Sequence, residues 1–397
     1  MTIVPFQAVR PARDKAALVT CRPYEEYSAA ELASQLDFNP FSFLHVLHPG
    51  YANIQRNDPW KRFGQVRTKY QDFKNEGILN KESQPLFYLY ELQTKSGSYT
   101  GFLAGVSVAD YLENNIRKHE DTLEYRVRQF EEYLHITGFN TEPVLIAYPQ
   151  NQALESAIRD LRKKRPLYRF STSNRDKHTL WRIKEQDIVD QVVSEFAAIP
   201  SVYIADGHHR SASAALLHSE HQMDNANTAF FMAFLISENE VRIHEYNRLI
   251  RDLNGLSQAK FLDAIAQSFT IENLAHELWK PDAKGEFGMY LNEQFYKLLP
   301  KERSSGIDAQ ILYDTLLAPI LGIGDLRNDG RIEYLPGNKP LTKLVEMVDS
   351  GEFAVGFTLF PITFPEIKAI ADRNEILPPK STYIEPKVRS GLMIYEL

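Results

Sequence analysis

The sequence predicts a mixed α/β chain, with α+β character in how its segments are ordered. Three observations carry this. Apolar runs of strand length recur, among them Val144–Tyr148 and Thr228–Ile236. Between them lie segments whose apolar residues repeat at helical spacing: Leu123, Val127, Phe130 and Leu134 fall at i, i+4, i+7 and i+11. The two kinds of segment alternate along the chain, which argues against an all-α or all-β fold. No repeat of about 20–50 residues suggests a solenoid.

Taken in order, Pro85–Gln93 reads as a strand. The turn residues Lys95-Ser96-Gly97-Ser98 follow, and Tyr99–Val108 returns as the second arm of a hairpin. Leu123 to Leu134 is a helix, with Gly138 as its stop and Thr122 as the candidate N-cap. Val144–Tyr148 has the length and apolarity of a buried strand. Leu154, Ile158 and Leu161 mark a helix that ends in Arg162-Lys163-Lys164-Arg165, a solvated cationic end favoured by the helix dipole. Asp187–Ala198 is helical, Ser201–Ala205 is a strand, and a helix runs from about Arg210 to His221. Thr228–Ile236 is a strand, and Val241–His244 is placed beside it. The remainder gives helices at Ile307–Ile320, Pro340–Asp349 and Phe364–Asp372, and strands at Phe353–Phe360 and Gly391–Tyr395. The turn Asn254-Gly255 divides the chain into residues 1–254 and 255–397.

A chain of 397 residues holds roughly two to three domains at about 150 residues each. Hydrophobic residues make up 43%, enough for a sizeable core, so wholesale disorder is excluded. The net charge is −7, with no long Lys/Arg block, so there is no nucleic-acid footprint. The 20 Tyr and 23 Phe therefore read as core of aromatic strands and not as a base-stacking surface. Trp181 is likewise assigned to the core. A lone Cys21 excludes an intrachain disulfide framework and any cysteine-based zinc or iron–sulfur site. No apolar run reaches the roughly 18 residues of a membrane span, and Met1–Arg13 has no signal-peptide architecture, so the expectation is cytoplasmic, without membrane partners. A homodimer is compatible with the sequence.

The sharpest local signal is Tyr203-Ile204-Ala205-Asp206-Gly207-His208-His209-Arg210-Ser211-Ala212-Ser213-Ala214. An apolar strand runs directly into Asp-Gly, then into donor-rich residues and a helix of small residues. Gly207 permits a sharp turn without a Cβ clash. The following helix aims its free N–H groups back at that turn, a geometry that favours phosphate. Arg210 adds a planar fork for anion oxygens, His208 and His209 add donors, and Ser211 and Ser213 add hydroxyls. The plain structural alternative is that Asp206 caps the helix and the histidines pack. His218 and His221 sit at i, i+3 with no third ligand in view, and no protein-only zinc site is expected.

This block resembles the signature of the ParB/sulfiredoxin-like superfamily, and within it Asp-Gly-His-His-Arg is similar to the motif of the free-serine kinases. The rest of the chain resembles the prokaryotic family of domain of unknown function 1015. That resemblance rests on Arg10-Pro11, Arg22-Pro23-Tyr24-Glu25 and Asn39-Pro40-Phe41-Ser42-Phe43-Leu44 near the N-terminus. In the middle it rests on His119-Glu120-Asp121-Thr122 and Leu180-Trp181-Arg182-Ile183. Near the C-terminus it rests on Pro378-Pro379-Lys380-Ser381-Thr382-Tyr383, Pro386-Lys387 and Ser390-Gly391. One departure is that the family's Pro-Pro-Tyr-Asp reads Arg22-Pro23-Tyr24-Glu25 here, a carboxylate one methylene longer, with Glu26 as a local competitor.

The resemblance implies a ParB/sulfiredoxin-like nucleotide-binding core and phosphoryl transfer from ATP or ADP, with Mg²⁺, to the hydroxyl of free L-serine. Asp206, Gly207, His208, His209, Arg210, Ser211 and Lys380 are then the cofactor-binding candidates. Asp206 positions the metal or a ribose. Phosphoryl transfer to a hydroxyl needs a carboxylate near the nucleophile and cations around the phosphates. Glu25 and Glu120 are the two candidate bases, and His209 joins them as a catalytic candidate. His119, Thr122, Arg248, Ser381 and Thr382 are the substrate-binding candidates; Lys387 and Ser390 rank below Lys380. Arg248 reads alternatively as a surface ion-pair partner. Two other function classes stay open: a nucleotide-binding regulator of the ParB-like type, and a nucleotide-dependent hydrolase on the same scaffold.

Overall fold

A computed structural model describes residues 1–49, 59–221, 226–302 and 306–397. The fold is mixed α/β. The chain forms two compact units, Met1–Val241 with Pro386–Leu397, and Arg242–Glu385. Asn254-Gly255 is a turn inside the second unit, with both residues at positive φ. No helix of the described residues is long and apolar enough to cross a membrane.

The first unit is built on a nine-stranded mixed sheet. Its strands are β1 (Ile3–Val4), β2 (Phe87–Gln93), β3 (Ser98–Ser107), β4 (Ile116–Arg117), β5 (Val144–Tyr148), β6 (Tyr168–Ser171), β7 (Lys177–Ile183), β8 (Val202–Asp206) and β9 (Phe230–Ser237). The spatial order is β4-β8-β5-β9-β3-β2-β7-β6, with β1 on β3. The expected hairpin is β2–β3, antiparallel from Tyr88↔Leu103 to Gln93↔Ser98. Strand β8 runs parallel to β4 and antiparallel to β5. Four helices matter here: α1 (Glu124–Thr137), α2 (Gln152–Arg162), α3 (Gln186–Ala198) and α4 (His208–His221).

The apolar runs read from the sequence form the core. Phe102, Trp181, Phe196 and Tyr148 are fully or almost fully buried in one cluster with Leu154 and Leu161 of α2. Burying each large side chain of this kind contributes about 1.5–3 kcal/mol. Helix α1 ends as expected on Gly138, left-handed at φ 74. Its N-cap, however, is Leu123 and not Thr122, with no side-chain cap.

The second unit has a six-stranded antiparallel sheet: β10 (Tyr246–Ile250), β11 (Phe269–Asn273), β12 (Phe287–Leu291), β13 (Gln294–Pro300), β14 (Ile332–Pro336) and β15 (Val355–Leu359). Their order is β11-β13-β12-β15-β10-β14. Helices Gln258–Ser268, Leu341–Asp349 and Phe364–Asp372 accompany it.

Three element readings change. Arg242–His244 does not pair with β9; it pairs with Tyr383–Glu385, because β9 is already flanked by β3 and β5. The helix expected over Ile307–Ile320 is a short α segment, Asp308–Leu312, that widens into a π turn at Tyr313–Leu317. The closing strand shrinks to Tyr395–Glu396, paired with Phe139–Asn140, while Ser390 and Ile394 make isolated bridges to Cys21 and Val9.

Candidate functional site

The site starts from a topological fact. Strands β4 and β8 are parallel neighbours, with Val202↔Ile116 and Tyr203↔Arg117 in register. Parallel neighbours end at the same sheet edge. The loop carrying His119-Glu120 and the turn carrying Asp206-Gly207-His208 are therefore brought together, although the sequence separates them.

Strand β8 reaches that edge with a register irregularity. Ile204 pairs with Ile146 and Asp206 with Leu145, so two residues of β8 oppose one of β5. A bulge of this kind kinks a strand and re-aims its last side chain. Gly207 then turns the chain at φ +104, a conformation L side chains rarely adopt. A Cβ there would lie 3.0–3.1 Å from the Arg210 guanidinium. Helix α4 begins at once, and its first intrahelical bond is Ser211 N–H to Gly207 O.

Asp206 is the electrostatic centre of the turn. Arg210 Nη2 donates to Asp206 Oδ2 at 2.6 Å, and Lys387 Nζ donates to Oδ1 at 2.9 Å. Arg210 Nη1 also donates to Pro143 O at 2.6 Å. Burial raises the Asp206 pKa, but Lys387 and Arg210 outweigh it and hold the carboxyl well below the usual carboxylate range. Asp206 thus gathers two cations at the turn.

The two histidines of the block act as a clip. His208 Nε2 accepts from the His119 backbone N–H at 3.4 Å, and His209 Nε2 accepts from the Leu123 N–H at 3.2 Å. The imidazole of His209, in place of Thr122, thus serves the N-terminal end of α1. The hydroxyls of the block also point into the fold. Ser211 Oγ donates to His208 O at 3.0 Å, and Ser213 Oγ donates to Val127 O at 2.9 Å and His209 O at 2.7 Å.

Glu120 is partly exposed, and its Oε2 lies 3.4 Å from His208 Nδ1. Burial pushes its carboxyl up, yet His208 more than offsets this and holds it down at about 2. His119 is fully buried. Burial, with His208 beside it, pushes its pKa down to about 3, so it is neutral and not a cation for phosphate. Both ring nitrogens of His119 lack a hydrogen-bond partner among the described residues. His119, Glu120 and His208 bring their donor atoms within 4.8 Å of one another. A second such group joins His221 to Glu131 and Glu220; His218 is not part of it, and its Nδ1 lies 3.1 Å from Thr228 Oγ1.

Arg248, Lys380, Ser381 and Thr382 belong to the second unit. Arg248 is only 1% exposed, which removes its reading as a surface ion pair. Its Nη2 donates to Lys380 O at 3.3 Å, Nη1 donates to Tyr246 O, and Nε lacks a partner among the described residues. Burial pushes the guanidinium pKa down to about 10, against the opposing pull of Tyr334 and Glu245. Lys380 is exposed at φ 56, with its ammonium 5.2 Å from the Tyr246 ring centroid. Ser381 Oγ donates to Pro378 O at 2.7 Å. The backbone of Glu25 lies in the single turn Tyr24–Glu26, and its side chain falls outside the described residues.

Sequence reasoning underrated Lys387, which the structure sets directly on Asp206. It also missed the bulge at the end of β8. No spacing signal carries either, since both depend on which strands and termini become neighbours.

With this geometry in hand, the chain belongs to the family described as "Protein of unknown function (DUF1015)", whose model matches residues 3–318. No curated protein sequence matches it. Among solved structures, the chain is similar to a C-terminally truncated SbnI from Staphylococcus aureus, at 14% identity and a TM-score of 0.40, covering 73% of this chain and 85% of that one. It is also similar to a mutant free serine kinase in complex with AMP, at 13% identity and a TM-score of 0.38, covering 73% and 92%. A third is a conserved hypothetical protein from Pyrococcus furiosus, at 12% identity and a TM-score of 0.38, covering 73% and 95%. At such identities and scores these likenesses carry no argument about chemistry, which rests on this chain's own residues.

Proposed function

We propose that the chain is a small-molecule kinase that transfers a phosphoryl group from ATP or ADP to the hydroxyl of free L-serine. The observation that carries this reading is the strand–glycine–helix turn at Asp206–Arg210. The first turn of α4 has backbone N–H groups without partners in the helix, and they converge with the positive end of its dipole at Gly207. Arg210 and Lys387 sit at the same turn. A polyphosphate at this point meets backbone donors and competes with Asp206 for two charge-assisted partners. The similarity of Asp-Gly-His-His-Arg to the free-serine kinase motif supports the acceptor, and its similarity to the ParB/sulfiredoxin-like signature supports the nucleotide.

The site residues divide by role. Gly207, Arg210 and Lys387 are assigned to the phosphates. His208 and His209 hold the 119–123 loop against α4 and so fix it beside the turn. Glu120, held at about 2, is ionised at neutral pH but is a weak proton acceptor. Glu25 and Glu120 are the two candidates for the base that takes the serine proton. Arg248, Lys380, Ser381 and Thr382 belong to the second unit, and no step is assigned to them. Electrostatic stabilisation of the transferring group supplies most of the rate in reactions of this class.

Mg²⁺ takes mostly oxygen ligands. Both oxygens of Asp206 are engaged by cations, and the neighbouring donor set contains two imidazoles. These residues do not fit a protein-held Mg²⁺, and no step is assigned to one.

The test is phosphorus NMR of the chain with Mg²⁺, ATP or ADP, and L-serine. A serine-dependent phosphomonoester resonance is expected. Nucleotide consumed equally without serine would point to a hydrolase. Nucleotide bound but unchanged would point to a regulator.

A further inference from the structure

We propose that His119, Glu120 and His208 form a binding site for one zinc-class divalent cation. The site goes beyond the phosphoryl-transfer reading and does not depend on it.

The argument begins with an orphaned side chain. His119 is fully buried, and neither ring nitrogen has a hydrogen-bond partner among the described residues. A neutral imidazole carries one N–H donor and one lone pair. Burying both without partners is costly, and native folds rarely tolerate it. Something with affinity for an imidazole nitrogen belongs beside this ring.

The neighbours specify what. His208, 3% exposed, packs edge-on against His119 with ring centroids 4.5 Å apart, and its Nδ1 also lacks a formed hydrogen bond. Glu120 brings a carboxylate oxygen to 3.4 Å from that nitrogen. All three donor atoms lie within 4.8 Å of one another. Donors at about 2.0–2.2 Å from a tetrahedral zinc are about 3.4 Å apart. The Glu120–His208 edge already has this length, and no edge of the triangle exceeds 4.8 Å.

Two imidazoles and one carboxylate suit zinc or cobalt better than magnesium, calcium or manganese. Three protein ligands leave a fourth position open, the pattern of zinc sites that present a water or a substrate atom. Ligation through His208 Nδ1 places the ring proton on Nε2. The long 3.4 Å contact from the His119 N–H is then exchanged for a metal bond.

The site draws on both halves of the constellation, the 119–120 loop and the helix start at 208. Neither supplies more than two donors. This explains why no local spacing announces it.

The experiment uses the full chain without a polyhistidine tag, stripped with a chelator and titrated with Zn²⁺ and Co²⁺. One equivalent is expected to bind, and Co²⁺ should give the intense visible bands of a tetrahedral site. His119→Asn and Glu120→Gln should each weaken binding at least about tenfold. Glu120→Gln is the safer variant, since the side chain is partly exposed and keeps its shape. His221→Ala controls for the Glu131–Glu220–His221 cluster and should leave binding unchanged. The proposal is overturned if the wild-type chain binds no stoichiometric metal. It is equally overturned if binding survives both site variants, or is lost only in His221→Ala. Nucleotide binding is measured on the metal-free chain, so metal bound without serine phosphorylation leaves this site standing. Serine phosphorylation without metal binding removes it alone.

Discussion

Gly207 occupies a backbone state that any side chain would strain, and a Cβ would press on the Arg210 guanidinium. Forcing a non-glycine residue into such a state costs on the order of 1–3 kcal/mol. Gly207→Ala is therefore expected to lower stability by about that amount in chemical denaturation. Nucleotide affinity should fall by more than the stability loss alone would produce, because the turn aims the helix N-terminus. Affinity unchanged in the folded variant would show that the turn does not bind phosphate. Asp206 illustrates a second point at this scale. Its sequence position suggests a cap, and its carboxylate holds two cations in place. That arrangement depends on Lys387, which no reading of the local motif includes.

At the scale of elements, α1 and α4 are joined by polar contacts as well as apolar ones. Leu123, the N-cap of α1, has no side-chain cap, and its N–H goes to His209. Ser213, fully buried, bonds the carbonyl of Val127 one turn further on. Removing the imidazole leaves a helix-end donor without this partner, a loss of about 1–2 kcal/mol. His209→Ala should thus lower stability by that amount and speed amide exchange over the first turn of α1. If exchange there is unchanged while turnover is lost, His209 acts in chemistry and not as a clip. The parallel pairing of β4 with β8 decides the site in the same way. It places two loop ends at one sheet edge, and the bulge in β8 turns Asp206 toward them.

At the scale of the whole molecule, the two compact units answer acid in opposite directions. In the first, burial holds His119 and His178 each at about 3. Unfolded histidine titrates near 6.5, so this stability is fully present above that value and is lost as pH falls below it. At pH 5 the loss is about 2 kcal/mol per histidine. Glu131 and Glu240, both raised by burial, oppose it in part. In the second unit, burial pushes Asp308 up to about 6, against the Gly285 N–H that it accepts. Its contribution is present below the unfolded carboxylate value and is lost as pH rises through about 6. Between pH 7.5 and pH 5, amide exchange should show protection falling in the first unit's core and rising by about 1 kcal/mol around Asp308 in the second. Asp308→Asn should abolish the rise. Parallel changes in both units would refute the assignment.

The sequence by itself determined the elements that local chemistry controls. Val144–Tyr148 and Phe364–Asp372 have the expected bounds, Gly138 stops α1, and Trp181 is buried, because apolar period, glycine freedom and side-chain size act over a few residues. The Asp-Gly-His-His-Arg turn was legible for the same reason. Only the tertiary structure decided what each polar atom there faces. His119 meets His208, Lys387 meets Asp206, Arg248 is buried, and Arg242–His244 finds its partner in Tyr383–Glu385. These contacts join residues far apart in the chain. They are fixed by strand order and register, which follow from how whole faces of the sheets are buried and not from any local run of sequence.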